Sequence, residues 1–289
     1  MSARLRAKAL PQQMFAIASL LALPLLCSPA LPKSQQSGDE AKAQARVSLN
    51  QGAQAFRTGQ CDEAIEDFKR AKVLDPSLIN ASLYLATAYA NQYIPGAPSK
   101  ENTQLGQQAM EEFQAVLARD PTNLSAIDGI GSILYNMAGV PFDSEMMNDS
   151  KAYHQKHIDI KPKDVEPYYW IGVIDWSLAY RANRELRQNW MQKKSVTLAA
   201  NDALPEAARQ NFENQFKNIV DEGIEHLKQA IILRPDYDDA MAYLNLLYRM
   251  KAEMEPTVGL RDADLREADE LVDRVKEIKK KKMDSSQLQ

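Results

Sequence analysis

The chain is poor in the residues on which most site chemistry rests. It has two cysteines, three histidines and eleven glycines among 289 residues. No Gly-rich phosphate loop, no G-x-S-x-G elbow and no H-E-x-x-H zinc motif occurs. The enzyme classes built on those motifs are excluded, and neither an enzyme nor a cofactor is expected. Neither charge sign dominates, with 35 basic against 39 acidic residues, a net of −4. No basic face recurs along the chain, which argues against nucleic acid, whose binding needs Lys and Arg to displace counterions. Long apolar runs are also missing. The best, Met14 to Leu26, holds only Ser19 as a polar residue, yet it falls short of the roughly twenty residues that span a bilayer.

That short run has a context. Arg4, Arg6 and Lys8 precede it, and Ser28-Pro29-Ala30 follows. A basic start, a short apolar core and small residues make a secretory signal over 1–30, cut after Ala30. An exported protein of the periplasm or cell envelope is therefore expected. Two alternatives stay open: an uncleaved membrane anchor, or lipidation at Cys27, where Leu26 stands in place of the usual small residue. Cutting after Ala30 leaves Cys61 alone, so no intramolecular disulfide forms.

What the chain does have is a spaced pattern closed four times by proline. The runs are Ala64-Phe68-Ala71-Pro76, Ala109-Phe113-Val116-Pro121, Ser150-His154-His157-Pro162 and Gly223-Leu227-Ala230-Pro235. Steps of four and three place these side chains on one helix face, and the proline ends the helix. A second helix follows each proline at fixed offsets: Leu85, Ala86 and Tyr89, then Ile130, Gly131 and Leu134, then Ile171, Gly172 and Asp175, then Leu244, Asn245 and Tyr248. A large apolar residue beside a small one lets helices approach closely. Asp175 breaks the apolar trend and Asn245 the small one.

This pattern resembles the tetratricopeptide repeat (TPR) family, a helix–turn–helix unit of thirty-four residues. The resemblance implies an all-α fold, a right-handed α-α superhelix of about five repeats at 45–78, 79–123, 124–164, 165–237 and 238–278. A flexible lead over 31–44, or a frayed first helix, precedes it. A basic disordered tail over 279–289, holding Lys279 to Lys282, follows. The proline intervals exceed thirty-four residues, and the excess falls between the two helices of a repeat. Asn91 to Leu105, with Pro95, Gly96 and Pro98, reads as a loop. The fourth repeat reads as an overlong helical hairpin, with Pro205 in the first turn of its returning helix. Because all the insertions share one turn of their repeats, they should build up one edge of the stack.

The resemblance also implies that first helices line a concave groove that takes a peptide or helix of a partner protein. The groove positions include Phe56, Asn91, Tyr135, Asn136, Tyr169, Trp176 and Arg249, with the aromatics as anchors. The lysines of a carboxylate clamp are missing. Self-occupancy by a C-terminal helix or by the hairpin is the other possibility for this groove. His154 and His157, three apart, can share a metal in principle, but they occupy packing positions and read as buried histidines with satisfied hydrogen bonds.

Overall fold

The computed structural model describes residues 33–198 and 203–286. The secretory signal expected over 1–30, with Cys27, lies outside them. Ten helices run through the described residues: α1 (Lys33–Arg57), α2 (Cys61–Leu74), α3 (Ile79–Gln92), α4 (Lys100–Leu117), α5 (Leu124–Met137), α6 (Ser144–Ile160), α7 (Glu166–Lys194), α8 (Glu206–Leu233), α9 (Asp238–Ala252) and α10 (Val258–Ser286). Residues 41–289 form one compact unit, and 1–40 another, of which the described part is the start of α1.

From α2 to α10 each helix packs on the next, and first helices also meet across repeats, α3 on α5 and α7 on α9. The small residues of the repeat pattern make these crossings possible. A side chain on Gly172 would stand 2.3 Å from Leu227 Cγ, and one on Gly129 the same distance from Phe113. Both glycines are where one helix lets a neighbour's large side chain reach its backbone. Leu227 and Phe113 are buried as a result. Truncating such a side chain costs about 2–5 kcal/mol.

The turns obey local chemistry. Asn123 accepts the Ala126 N–H at 3.1 Å and starts α5, two residues after Pro121. Asp143 does the same for Met146 at the head of α6, at 3.0 Å. Ser99 caps α4 through the Asn102 N–H, at 3.0 Å. That cap shortens the loop read from the sequence. The non-helical segment is 93–99, and Lys100 to Leu105 is helix, because a good N-cap outweighs the nearby Pro98.

Helix α1 begins at Lys33, so of the two readings left open for 31–44 the described residues show the helix and not the flexible lead. Gln, Lys, Ala and Glu are all good helix formers, and composition alone does not distinguish such a segment from a linker. At the other end α10 continues through Lys279–Lys282 to Ser286, where a disordered tail was expected. Lys282 Nζ lies 2.7 Å from Asp238 Oδ1, an ion pair 44 residues apart in sequence that ties the last turns to the head of α9.

The insertions meet along one edge. Gly96 of the α3–α4 loop packs against Val140 of the α5–α6 turn, 3.3 Å from where a side chain would begin. Arg181 of α7 lies over the Phe142 ring, 5.5 Å from its centroid. Farther along the hairpin, Arg187 Nη2 and Asn183 Nδ2 donate to Glu253 in the α9–α10 turn, at 2.7 and 2.8 Å. Arg209 Nη1 donates to the Met254 carbonyl at 2.6 Å. Arg187 and Arg209 are each 9% exposed, so these contacts hold the distal half of the hairpin against the α9–α10 turn. Helix α7 ends at Ser195 in the left-handed region, φ 53°. Pro205 stands just before α8 rather than inside its first turn.

Candidate partner-binding face

The first helices of the last three repeats, α5, α7 and α9, bring six aromatic rings into one connected array. Tyr135 from α5 meets Trp170 of α7 edge-on at 5.4 Å between centroids. Trp170 meets Tyr169 at 5.5 Å. Tyr169 reaches Tyr243 of α9 at 5.8 Å, and Tyr243 reaches Trp176 at 5.3 Å, both near-perpendicular. Trp176 then stacks on Tyr180 at 5.0 Å. Near-perpendicular and offset arrangements are the favourable ones for aromatic pairs. Tyr135, Tyr169, Trp170, Trp176 and Tyr243 are half-buried: their bodies pack and their edges remain open.

Burial governs the polar ends of these rings. It pushes the Tyr169 phenol far up, with Tyr243 and Asp239 adding to the effect. The Tyr243 phenol is pushed up to about 12, first by burial and then by Tyr135 and Asp239. Both stay neutral donors at any physiological pH. Tyr135 Oη lies 3.4 Å from Ser177 Oγ. Trp176 Nε1–H is buried and has no acceptor among the described residues.

Tyr135, Tyr169 and Trp176, three of the positions expected in the groove, are thus brought together. Trp170, Tyr180 and Tyr243 complete the cluster and were missed. The signal was there, since Tyr243 precedes Leu244 just as Tyr84 precedes Leu85 in an earlier repeat. Phe56 and Asn91 lie at the other end of the stack. Phe56 packs against the core cluster of α2–α5, and Asn91 is exposed beside Cys61 Sγ at 3.9 Å. Asn136 is half-buried with no hydrogen bond among the described residues. Arg249 is engaged within the fold: it donates to Asn245 at 2.9 Å and to Asp269 of α10 at 2.6 Å. This pairing also explains why Asn245 replaces a small residue.

The histidines divide. His157 Nδ1 lies 2.7 Å from Asp128 and its Nε2 3.1 Å from Asp164. Burial pulls its pKa down, but the two carboxylates outweigh this and raise it. His154 is buried, stacks on Trp170 at 6.0 Å, and has no partner for either ring nitrogen among the described residues. Satisfied hydrogen bonds were expected for both, and only His157 has them. Burial drives the His154 pKa down to about 4, so the ring is a neutral packing plate.

Asp175 is the main buried charge. It is 0% exposed, and its Oδ1 accepts from Lys151 Nζ of α6 at 2.7 Å. The same ammonium lies 2.8 Å from Glu222 Oε2 of α8. Burial pushes the Asp175 carboxyl up to about 7 against the pull of Lys151. Asp175, Glu222 and His226 also present ligand-type atoms within 4.8 Å of one another. The Lys151 ammonium already supplies the positive charge at two of these three groups.

No family model and no curated protein matches the sequence. Solved structures do match in fold. One is a MamA protein crystal structure, at 18% identity and TM-score 0.54, covering 83% of this chain and 94% of that one. Another is MamA 41-end from Desulfovibrio magneticus RS-1, at 16% identity and TM-score 0.53, covering 82% and 96%. A third is YrrB, described as a TPR protein with an unusual peptide-binding site, at 15% identity and TM-score 0.50, covering 84% and 91%. The fold is a TPR-like solenoid. Its ten described helices pair as helix–turn–helix units, and the aromatic array lies on the layer of first helices.

Proposed function

We propose that this protein is a non-enzymatic scaffold that holds a peptide or helix of another protein against the first helices of its solenoid. The observation that carries this is the half-open aromatic array on α5, α7 and α9, in which the Trp176 N–H and the Tyr169 and Tyr243 hydroxyls have no hydrogen bond among the described residues. Packed aromatic rings with open edges give large contact area at small entropic cost, which is how protein interfaces use them. A preformed face also lowers the ordering cost of capture. The same fold carries a peptide-binding site in YrrB. The basic and apolar start, Arg4 to Leu26, supports placing the work in the periplasm or cell envelope. Membrane attachment would run through an uncleaved or lipidated start.

Affinity capture from the native envelope tests the reading. The full chain is compared with a variant in which Tyr135, Tyr169 and Trp176 become Leu. Leucine keeps bulk at half-buried positions, and circular dichroism verifies the fold. A partner retained by the chain and lost by the variant is the expected result. Equal retention by both rejects the face.

A second reading, an assembly subunit acting through the built-up edge, draws on the far end of the hairpin. There α7 and α8 enclose a cleft of about 230 Å³ whose apolar wall is Leu186, Phe212 and Phe216, rimmed by Glu185, Asn189 and Gln215. Leu186→Ser with Phe216→Ser removes that wall while leaving the aromatic array. Loss of the partner with this pair alone would move the function to the edge.

A further inference from the structure

The repeat pattern puts an acid, Asp175, where it calls for an apolar residue, and the fold then gathers ligand-type groups around it. Asp175 of α7 is fully buried, and its carboxyl lies with those of Glu222 and the His226 ring of α8 so that one ligand atom of each falls within 4.8 Å of the others. Gly223 is what brings the two helices this near. A side chain there would meet Asp175 Cβ at 2.8 Å, so the α8 backbone rests against the acid. Glu222 and His226 are four apart and share one face of α8. His226 Nδ1 lies 2.9 Å from the Glu222 backbone carbonyl. A carbonyl only accepts, so in the neutral ring Nδ1 carries the proton and Nε2 keeps its lone pair. Metal-ligating histidines are held in this way, with the other ring nitrogen donating to a carbonyl or carboxylate.

The Lys151 ammonium of α6 does not exhaust the cluster. It takes Asp175 Oδ1 at 2.7 Å and Glu222 Oε2 at 2.8 Å. Asp175 Oδ2 is buried and has no hydrogen bond among the described residues. That oxygen lies 3.4 Å from where a side chain on Gly223 would begin, so it faces α8, the helix that carries Glu222 and His226. Buried polar atoms are nearly always bonded, and an oxygen that is not calls for an ion or a water. Lys151 is not sealed in either, since its side chain is 18% exposed and its flexible stem reaches solvent.

We propose that Asp175, Glu222 and His226 form a site for a divalent transition-metal ion such as zinc, which exchanges with the Lys151 ammonium. Carboxylate oxygens with an imidazole nitrogen suit zinc and its neighbours, whereas calcium and magnesium prefer oxygen alone. Ligands at about 2.1 Å in a tetrahedral array stand about 3.4 Å apart, so the three groups must close by about 1.4 Å. Glu222 is exposed and His226 half-buried, so both can turn onto Asp175, the fixed member. The bound ion would tie α7 to α8 and release the lysine of α6. It would thus make the joint between the third and fourth repeats sensitive to metal. This site stands apart from the aromatic face and does not depend on the scaffold reading.

The test titrates zinc chloride into the full chain, first stripped with a chelator, against a chromophoric competitor. One ion per chain is the expected result. His226→Gln and Glu222→Gln should each weaken binding at least about tenfold, while Glu225→Gln, at an exposed acid of the same helix, should leave it unchanged. Lys151→Met removes the competing cation and should tighten binding by a similar factor. Zinc should also increase the labelling of Lys151 by an amine-reactive reagent, read by peptide mass spectrometry. The α8 positions are not buried, and circular dichroism verifies the fold of each variant. Equal affinity in the parent and in His226→Gln, or less than one ion per chain at saturation, would overturn the site. Zinc that is lost with His226→Gln, yet binds no tighter in Lys151→Met and leaves Lys151 labelling unchanged, would overturn the exchange.

Discussion

Replacing Lys151 with Met separates charge from packing at the buried junction of α6, α7 and α8. The Lys151 ammonium lies 2.7 Å from Asp175 and 2.8 Å from Glu222. An aspartate in an unfolded chain has a pKa near 3.9. In the folded protein burial pushes the Asp175 carboxyl up to about 7, with Lys151 restraining the rise. Between those values the folded state holds a proton that the unfolded state lacks. The contribution of Asp175 to stability therefore falls with rising pH by about 1.4 kcal/mol per unit, and levels off above about 7. Without Lys151 the folded carboxyl keeps its proton to higher pH, so in the variant the fall continues. The two stability curves should stay parallel below pH 7 and then diverge by up to about 1.4 kcal/mol per unit, or roughly 3 kcal/mol at pH 9. His154 and His157 titrate in both proteins and cancel from the difference. Urea unfolding followed by circular dichroism at pH 5, 7 and 9 measures it, and Asp175→Asn placed in both backgrounds should abolish the divergence. Curves that remain parallel from pH 7 to 9 would refute the reasoning, because Lys151 would then not be setting the ionisation of Asp175.

Other outcomes follow from single contacts. Gly172→Ala puts a methyl 2.3 Å from Leu227 Cγ and should cost about 1–3 kcal/mol, whereas Gly259→Ala has open space and should stabilise by up to about 1 kcal/mol, both read from thermal midpoints. Asp128→Asn removes one of the two carboxylates that raise the His157 pKa, so ring-proton NMR should find it lower than in the parent. The stability His157 contributes is complete below about pH 6.5 and lost as pH rises through its folded pKa, so the variant should lose less between pH 6 and 9. Glu253→Ala leaves Arg187 and Asn183 without their shared acceptor. Amide exchange should then quicken in 183–209, while α2–α4 stay protected. Unchanged exchange there would mean that the Glu253 contacts do not hold this part of the hairpin.

The sequence by itself determined the repeat. Steps of four and three closed by proline are a helical-face signal that needs no partner element to be read, and that much of the stack followed from the chain alone. The position of the extra residues, always between the two helices of a repeat, was readable for the same reason, and so was the aromatic character of Tyr135, Tyr169 and Trp176. Helix ends were less readable. Ser99 outweighed Pro98, and good helix formers continued α10 through the lysine run, because caps and one long-range ion pair decided those ends. Tertiary structure alone decided which polar residues have partners. Nothing local marks Asp128 or Glu166 as paired, since His157 and Arg234 reach them from other parts of the chain. Nothing local marks Arg249 as engaged or Asp175 as buried beside Lys151. Periodicity records which face a side chain occupies, and only the packed neighbours determine whether its charge is met.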